Sequence, residues 1–493
     1  MKNEYILCID EGTSSARALL LNLKGEVVAL ERKAIETYYP FPDWVEQDPE
    51  AIWQAQFQTI QKLLSQFSQK TNQIIAAGIT NQRETTIIWN KNTGKPIYPA
   101  IVWQDRRGLA LCEKLKDQGY QQLIQQKTGL ILDSYFSATK IAWILQNVPE
   151  AQGLAQQGAL AFGTIDTWLL WKLTGNHYTD PSNASRTLLY NIYEQKWDEE
   201  LLYIFDIPAS ILPTVLPSNA LFGYLKWEND TIPITGVLGD QQAATFGQQC
   251  WNYGDTKNTY GTGCFLVTFT GKEPIKQPPP GILTTVAWHL YGKTPMYALE
   301  GSILNAGASL QWLQELGIIP SISALEQFIT PPIHSQDLFF VPALTGLGAP
   351  YWDAHARGLI IGITRATQKR DLIHAALAAM AFQTHEILLL IQTAIGTQIH
   401  TLKADGGVAQ NAPLMQFQAD LSACTVQIPD CIEVTALGVG YMAALGAGIY
   451  TQEDITQLYK FQTTFEPNPH FNKDFIFNRW KQAVERAKSW IVG

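Results

Sequence analysis

The sequence predicts an α/β protein of two domains with a ligand cleft between them, and three observations lead there. At 493 residues the chain exceeds what one hydrophobic core serves. Apolar runs of strand length repeatedly end on polar clusters, the place where α/β folds bind ligands. The pattern of apolar strand, glycine turn and second strand occurs near residue 12 and again near residue 262, a faint internal repeat. It puts the domain boundary near residue 248, giving expected domains 1–247 and 248–493.

Composition narrows the function. Apolar residues make up 46% and charged residues 16%, below the usual quarter, which argues against long solvated arms. The net charge of −9, with dispersed Lys and Arg, argues against a nucleic-acid or anionic-membrane partner. The 6 cysteines show no Cys-x-x-Cys pair and the 8 histidines no His-Glu-x-x-His helix. Thiols in a reducing compartment fit best, without structural zinc or a catalytic transition metal. No apolar signal core opens the chain and no run approaches the ~20 apolar residues of a membrane span, so a soluble cytoplasmic protein is expected.

In chain order, Tyr5 to Ile9 reads as a buried strand and Ala18 to Leu23 as its partner. Between them lie Asp10, Gly12, Thr13, Ser14, Ser15 and Arg17. A tight hairpin there gathers N–H groups and hydroxyls around one point, which suits an anion, and Asp10 suits the metal that accompanies a polyphosphate. Nucleotide phosphate with magnesium is one reading; a plain hairpin with a polar tip is the other. Asp48-Pro49 starts a helix whose apolar face is Trp53, Phe57, Ile60, Leu64 and Phe67. The strand Ile74 to Thr80 delivers Asn81 to Thr86, and a second strand leads on to Trp103-Gln-Asp-Arg-Arg107. Helical text fills 108–127 and 137–160, Ala161 to Trp171 is a strand and helix start, and 180–220 is rich in loops. The strand Ile232 to Leu238 runs into Gly239-Asp240-Gln241. A strand from Asn258 turns at Gly261-Thr262-Gly263 and continues through Phe265. Beyond lie helices at Asn305 to Leu316 and after Asp371, the latter apolar nearly all round. A strand then ends on Asp405-Gly-Gly407, a helix begins at Asn411, and another begins near Thr435. Its Gly438 and Gly440 let a backbone or a flat ligand come close.

No Walker A loop is present: Gly292-Lys293-Thr294 has Ala287 where the leading glycine belongs. Two hairpins facing across a cleft would hold phosphates instead, one through Thr13, Ser14, Ser15 and Arg17, the other through Gly261, Thr262 and Gly263. Asp240, at a strand-to-helix junction, suits the carboxylate that orients an alcohol and accepts its proton in phosphoryl transfer; a helix N-cap is the alternative. Arg83, Glu84, Trp103 and Tyr135 read as a polyol site, with Phe265 adding to its apolar wall. Arg106 and Arg107 read as surface or salt-bridge groups.

The segment Tyr135-Phe-Ser137-Ala-Thr-Lys140-Ile141-Ala-Trp143-Ile144-Leu-Gln146-Asn147 resembles the first signature of the FGGY carbohydrate kinases. Gly358 to Ile363, followed by Asp371 to Leu377, resembles their second, departing where Ala378 replaces an acid or amide. Asn81–Thr86, Trp103–Arg107, Gly239–Ala244, Asn258–Phe265 and Asp405–Gly407 are similar to the members that phosphorylate glycerol. The likeness runs from residue 5 to about 450. It implies two actin-like (ribonuclease H-like) domains flanking a catalytic cleft, and ATP-dependent phosphorylation of glycerol to sn-glycerol 3-phosphate. Another small polyol or ketose is the alternative acceptor, and a nucleotide-driven binding machine of the same superfamily fold is the alternative from another class. The resemblance further implies Asp240 as general base, Asp10 and Arg17 as further catalytic residues, and Asp10 with Asp240 at Mg2+. Arg83, Glu84, Trp103, Tyr135, Asp240, Gln241 and Phe265 would bind glycerol. Thr13, Ser14, Ser15, Arg17, Thr262, Gly307, Gln311, Gly407 and Asn411 would bind ATP. A homo-oligomer, dimer or tetramer, is expected, with no nucleic-acid partner. Glu11, where glutamine is common, is expected to add charge near the phosphates. The short segment Tyr224–Pro233 lacks arginine and histidine, so control by fructose bisphosphate or by histidine phosphorylation is expected to be missing.

Overall fold

Strands that bury both faces form the frame of each half. The structure, a computed structural model, describes residues 4–67, 71, 73–319, 321, 325 and 337–491. The first sheet contains β1 (Tyr5–Glu11), β2 (Ser15–Asn22), β3 (Val27–Ala34), β4 (Ile74–Asn81), β5 (Gly223–Trp227) and β6 (Asp230–Gly239). Its order is β5-β6-β4-β1-β2-β3. The first three strands form an antiparallel meander, β4 and β6 run parallel to β1, and β5 closes the edge antiparallel.

The second sheet contains β7 (Thr256–Tyr260), β8 (Cys264–Gly271), β9 (Leu283–Trp288), β10 (Met296–Ile303), β11 (Thr401–Asp405), β12 (Thr425–Pro429) and β13 (Phe461–Phe465). Its order, β9-β10-β8-β7-β11-β12-β13, repeats the same plan with one strand added beside the meander. The turns β1–β2 and β7–β8 therefore occupy equivalent places, which gives the faint sequence repeat a topological basis.

Period-two alternation decides what β1 faces. Tyr5, Leu7 and Ile9 pack on α1 (Pro49–Gln66) and α2 (Ile165–Thr174), while Ile6 and Cys8 face the interior between the sheets. The Asp48 carboxylate caps α1 as its sequence suggests. Its buried stripe, however, runs through Ile52, Ala55, Gln56, Ile60 and Leu64. Gln56 turns inward because its amide donates to the Arg17 carbonyl, and Trp53 and Phe57 stand half-buried at the margin, against each other. The expected helical text at 108–127 and 137–160 divides into Leu109–Asp117, Gln121–Thr128, Ser137–Asn147 and Ala151–Gln156, the first stretch interrupted at the left-handed Gly119 and the second at Pro149 and the left-handed Glu150. Segment 224–233 is a hairpin turning on Glu228 and Asn229.

Helix α3 (Asp240–Gly247) continues directly from β6. The outer face of the second sheet is covered by several helices, chief among them α4 (Lys369–Ile395). By length and composition α4 could cross a membrane, against the expectation that no segment would, yet 83% of its most apolar window is buried within the protein. It is the central core helix of this half. Between the sheets α3 packs on α5 (Val434–Gly446). A Cβ on Gly438 would lie 1.8 Å from the Ala243 carbonyl oxygen, so glycine is required for that approach. The partner that Gly438 admits is a backbone.

Candidate active site

The ends of β1, β4 and β6 in the first half, and of β7 and β11 in the second, open onto one cleft of about 370 Å³. Asp10, Thr13, Ser14, Arg17, Arg83, Glu84, Trp103, Tyr135, Asp240, Gln241, Thr262, Phe265 and Gly407 all line it. Ser15, Gly307, Gln311 and Asn411 lie outside that lining. Ser15 is buried and accepts a hydrogen bond from Arg32 Nε at 3.0 Å. The Gly307 N–H donates to the Gly261 carbonyl at 3.0 Å, so it braces the second hairpin from behind. Gln311 is exposed and donates to Glu315 at 3.2 Å. The Asn411 side chain caps the helix Ala412–Ser422 through the Leu414 N–H.

Asp10 sits on the inward face of β1, almost fully buried, and burial pushes its carboxyl up to about 6 against the opposing pull of Arg17. Arg17 Nη1 donates to Asp10 at 3.3 Å and to Glu433, just ahead of α5, at 2.9 Å. Glu11 is the opposite case. Alternation turns it away from the cleft to the opposite face of β1, the one Tyr5, Leu7 and Ile9 occupy, where the Gln82 amide donates to it at 3.3 and 3.5 Å. Burial raises its pKa well above the ordinary value, and its side chain is not part of the cleft lining, where the extra charge is expected.

Asp240 is the first residue of α3, and its side chain is 28% exposed to the cleft. Oδ1 accepts from the Gln241 N–H at 2.7 Å and lies 3.2 Å from Arg83 Nε; Oδ2 accepts from the Gln241 amide at 3.2 Å. Burial raises its pKa, while Arg83 and Lys257 oppose the rise. The helix N-cap position belongs to Gly239. The Gln241 Oε1 in turn accepts from the buried ammonium of Lys257 on β7.

At the other end of the cleft Trp103 stands edge-on to Phe265 and Tyr135, each with ring centroids 5.8 Å away. Trp103 Nε1 donates to Thr13 Oγ1 at 2.9 Å, tying the aromatic wall to the first hairpin. Arg83 directs its fork at Glu300, with bonds of 2.7 and 2.9 Å. Glu84 holds a left-handed backbone at φ 62°, a conformation that a non-glycine residue keeps only when its surroundings enforce it. Its carboxylate accepts from Arg186 Nε at 2.6 Å. Burial alone would raise the Glu300 pKa, but Arg186 and Arg83 outweigh it and hold the carboxyl down to about 2.

The structure also accounts for residues around the site. Lys140, buried in the first signature, donates to the carbonyls of Ser134, Tyr135 and Phe136 at 2.7, 2.6 and 3.3 Å, fixing the turn that presents Tyr135. Ala378 is buried inside α4, away from the cleft lining. Arg106 and Arg107 are ion-paired, to Asp133 at 2.7 Å and to Asp105 at 2.7 Å, with both side chains withdrawn from the surface. The Arg107 guanidinium also lies 3.8 Å from the Trp44 ring centre. Arg186, Lys257, Glu300 and Glu433 were not among the sequence candidates. Glu300 alone left a signal there, a lone acid inside the apolar strand Met296–Ile303.

Comparison with known proteins fixes the class. The FGGY family of carbohydrate kinases matches through its N-terminal domain at residues 5–247 and its C-terminal domain at 256–447. The chain belongs to that family, and its fold is the two-domain α/β kinase fold. More particularly, it is 47% identical over 500 residues to the glycerol kinase of Carboxydothermus hydrogenoformans, with 100% of both chains covered. Glycerol kinase 2 of Thermotoga maritima is 46% identical, with 99% of each covered. The crystal structure of Plasmodium falciparum glycerol kinase with ADP aligns with a TM-score of 0.89 at 36% identity, covering 98% of both. A xylulose kinase of Lactobacillus acidophilus aligns at 0.84 with 22% identity, a likeness of fold.

Proposed function

We infer that this enzyme transfers the γ-phosphoryl group of ATP to glycerol, giving sn-glycerol 3-phosphate. One observation carries the reading. A carboxylate, Asp240, stands in the same cleft as a polar pair, Arg83 and Glu84, and an aromatic wall of Trp103, Phe265 and Tyr135. A short polyol presents hydroxyls to the first and its C–H edge to the second. That full-length relatives carry the name glycerol kinase supports glycerol, rather than another polyol, as the acceptor of this chain.

In this reading Asp240 accepts the proton of the attacking hydroxyl. The Gln241 N–H and Arg83 fix Oδ1, leaving Oδ2 with only the long bond from Gln241 and room to point at the acceptor. Its raised pKa brings it closer to the range in which a base works at neutral pH. The turns Gly12–Ser14 and Gly261–Gly263 offer main-chain N–H groups and the hydroxyls of Thr13 and Thr262 to the phosphates, with Arg17 beside them. Gly407 lies along the adenosine.

Magnesium fits the donor set. Among the described residues no group of three or more His, Cys, Asp or Glu could cage a metal. An ion bound through one or two carboxylates, substrate phosphates and water needs no cage. Asp10 and Asp240 would hold it, and when bound it neutralises charge on the phosphates. Closure of the two halves would keep water from the phosphoryl group. A cytoplasmic location, suggested by six unpaired cysteines, and assembly as a dimer or tetramer belong to the same reading.

A coupled assay with MgATP should give glycerol the highest kcat/KM among glycerol, erythritol, dihydroxyacetone and xylulose. Faster turnover of any of the others would overturn the assignment.

A further inference from the structure

We propose that Arg186 and Glu300 are positioning residues for the phosphoryl acceptor, holding Arg83 and Glu84 against the second half of the molecule and so setting acceptor affinity. The four side chains form an alternating chain of charge. Glu84 accepts from Arg186 Nε at 2.6 Å, Arg186 Nη2 donates to Glu300 at 3.0 Å, and Arg83 closes on Glu300 with its two bonds. Ser302 donates a further bond to Glu300 at 3.0 Å. None of the four residues is more than 2% exposed. Arg83, Glu84 and Arg186 belong to the first half, whereas Glu300 stands on β10 in the second sheet.

Two positive and two negative groups buried together are compensated, and removing one leaves a charge without a partner in a medium of low polarity. The consequences fall on the acceptor pocket. Without Glu300 the Arg83 fork loses its two bonds to a carboxylate, keeps only the 3.2 Å bond from Nη1 to the Gln242 amide oxygen, and can re-aim toward Asp240, which its Nε already approaches. Without Arg186 the Glu84 carboxylate loses the donor that fixes it. The phosphate hairpins at 12–15 and 261–263 contain no member of the chain, so the nucleotide should not register the change.

The inference rests on the acceptor site described above, so its test uses whichever acceptor the wild-type enzyme turns over fastest. A wrong acceptor then shows in the substrate panel, and a wrong role for the network shows here. Steady-state KM values for acceptor and MgATP, acceptor Kd by calorimetry and the thermal midpoint would be measured for Glu300→Gln, Arg186→Met, Arg186→Lys and the double variant Arg186→Gln/Glu300→Gln. The expected result is a rise of tenfold or more in acceptor KM and Kd for Glu300→Gln and Arg186→Met, with the MgATP KM within about twofold. Arg186→Lys should recover part of the loss. The double variant, which restores neutrality, should lose less than the product of the single losses. Glu300→Asp, which keeps the charge but retracts it, serves if Glu300→Gln does not fold, and the same split is expected. Acceptor KM within twofold of wild type in a folded single variant, a parallel rise in both KM values, or multiplicative losses in the double variant would each overturn the proposal.

Discussion

Replacing Asp240 by asparagine exchanges one carboxylate oxygen for an amide nitrogen and leaves the shape of the side chain unchanged. The oxygen that accepts from the Gln241 N–H at 2.7 Å and faces Arg83 at 3.2 Å can stay in place. Arg83 is not left unpaired, because Glu300 still takes both prongs of its fork. What disappears is the acceptor for the Gln241 amide, one hydrogen bond worth about 1 kcal/mol, together with the capacity to take a proton. Ground-state binding of glycerol should therefore weaken by no more than about fivefold. Loss of a general base costs roughly 10²–10⁴ in rate. With the rest of the site intact we expect about a thousandfold fall in kcat, near 4 kcal/mol of barrier. A coupled ADP-release assay at saturating glycerol and MgATP reads the fall in kcat, and calorimetric titration with glycerol reads the change in binding. A variant that turns over within tenfold of wild type would remove Asp240 from the base's role.

Two further outcomes test the frame around the site. Gly438→Ala forces a methyl to within 1.8 Å of the Ala243 oxygen, where only backbone movement relieves the clash. A cost of about 3 kcal/mol or more should lower the thermal midpoint by several degrees in scanning fluorimetry, and an unchanged midpoint would refute the close approach. Asp166, fully buried in α2 with Thr179 donating to it at 2.6 Å, is pushed by burial from 3.8 up to about 7. Because its folded pKa is the higher one, the stability it contributes is complete below about pH 4, falls as pH rises toward 7, and is flat above. The loss amounts to roughly 4 kcal/mol at most. Asp166→Asn should therefore gain stability over wild type progressively between those limits in urea titrations, and a difference independent of pH would contradict it.

The alternating plan of the sheets was legible because strand and turn signals lie within a few residues of one another. The β1–β2 turn is written as an apolar run, Gly12, hydroxyls and a second apolar run, and Asp240 stands where such a run gives way to a helix. Long-range pairing leaves no such local trace. Arg186 falls in a stretch without periodicity, and its partners lie at positions 84 and 300. Lys257 reads as one polar residue of a short strand until Gln241 is folded against it. Glu11 shows a different failure. The alternation that aims Asp10 at the cleft must aim its neighbour away, so strand period was the better guide than proximity in sequence. Trp53 and Phe57 were placed by hydrophobicity alone, while the fit of α1 to the sheet is decided by the slim Ala55 and the tethered Gln56.

The position of α5 bears on how the polypeptide matures. Every strand of the first sheet has been synthesised by Gly239, yet Ile6, Cys8, Leu19, Leu21, Ala76 and Leu238 keep an oily surface in water until Val434–Gly446 leaves the ribosome to roof it. The nascent N-terminal half is thus a dish awaiting its lid, and a gene cut between the halves would yield two sticky fragments in place of two modules.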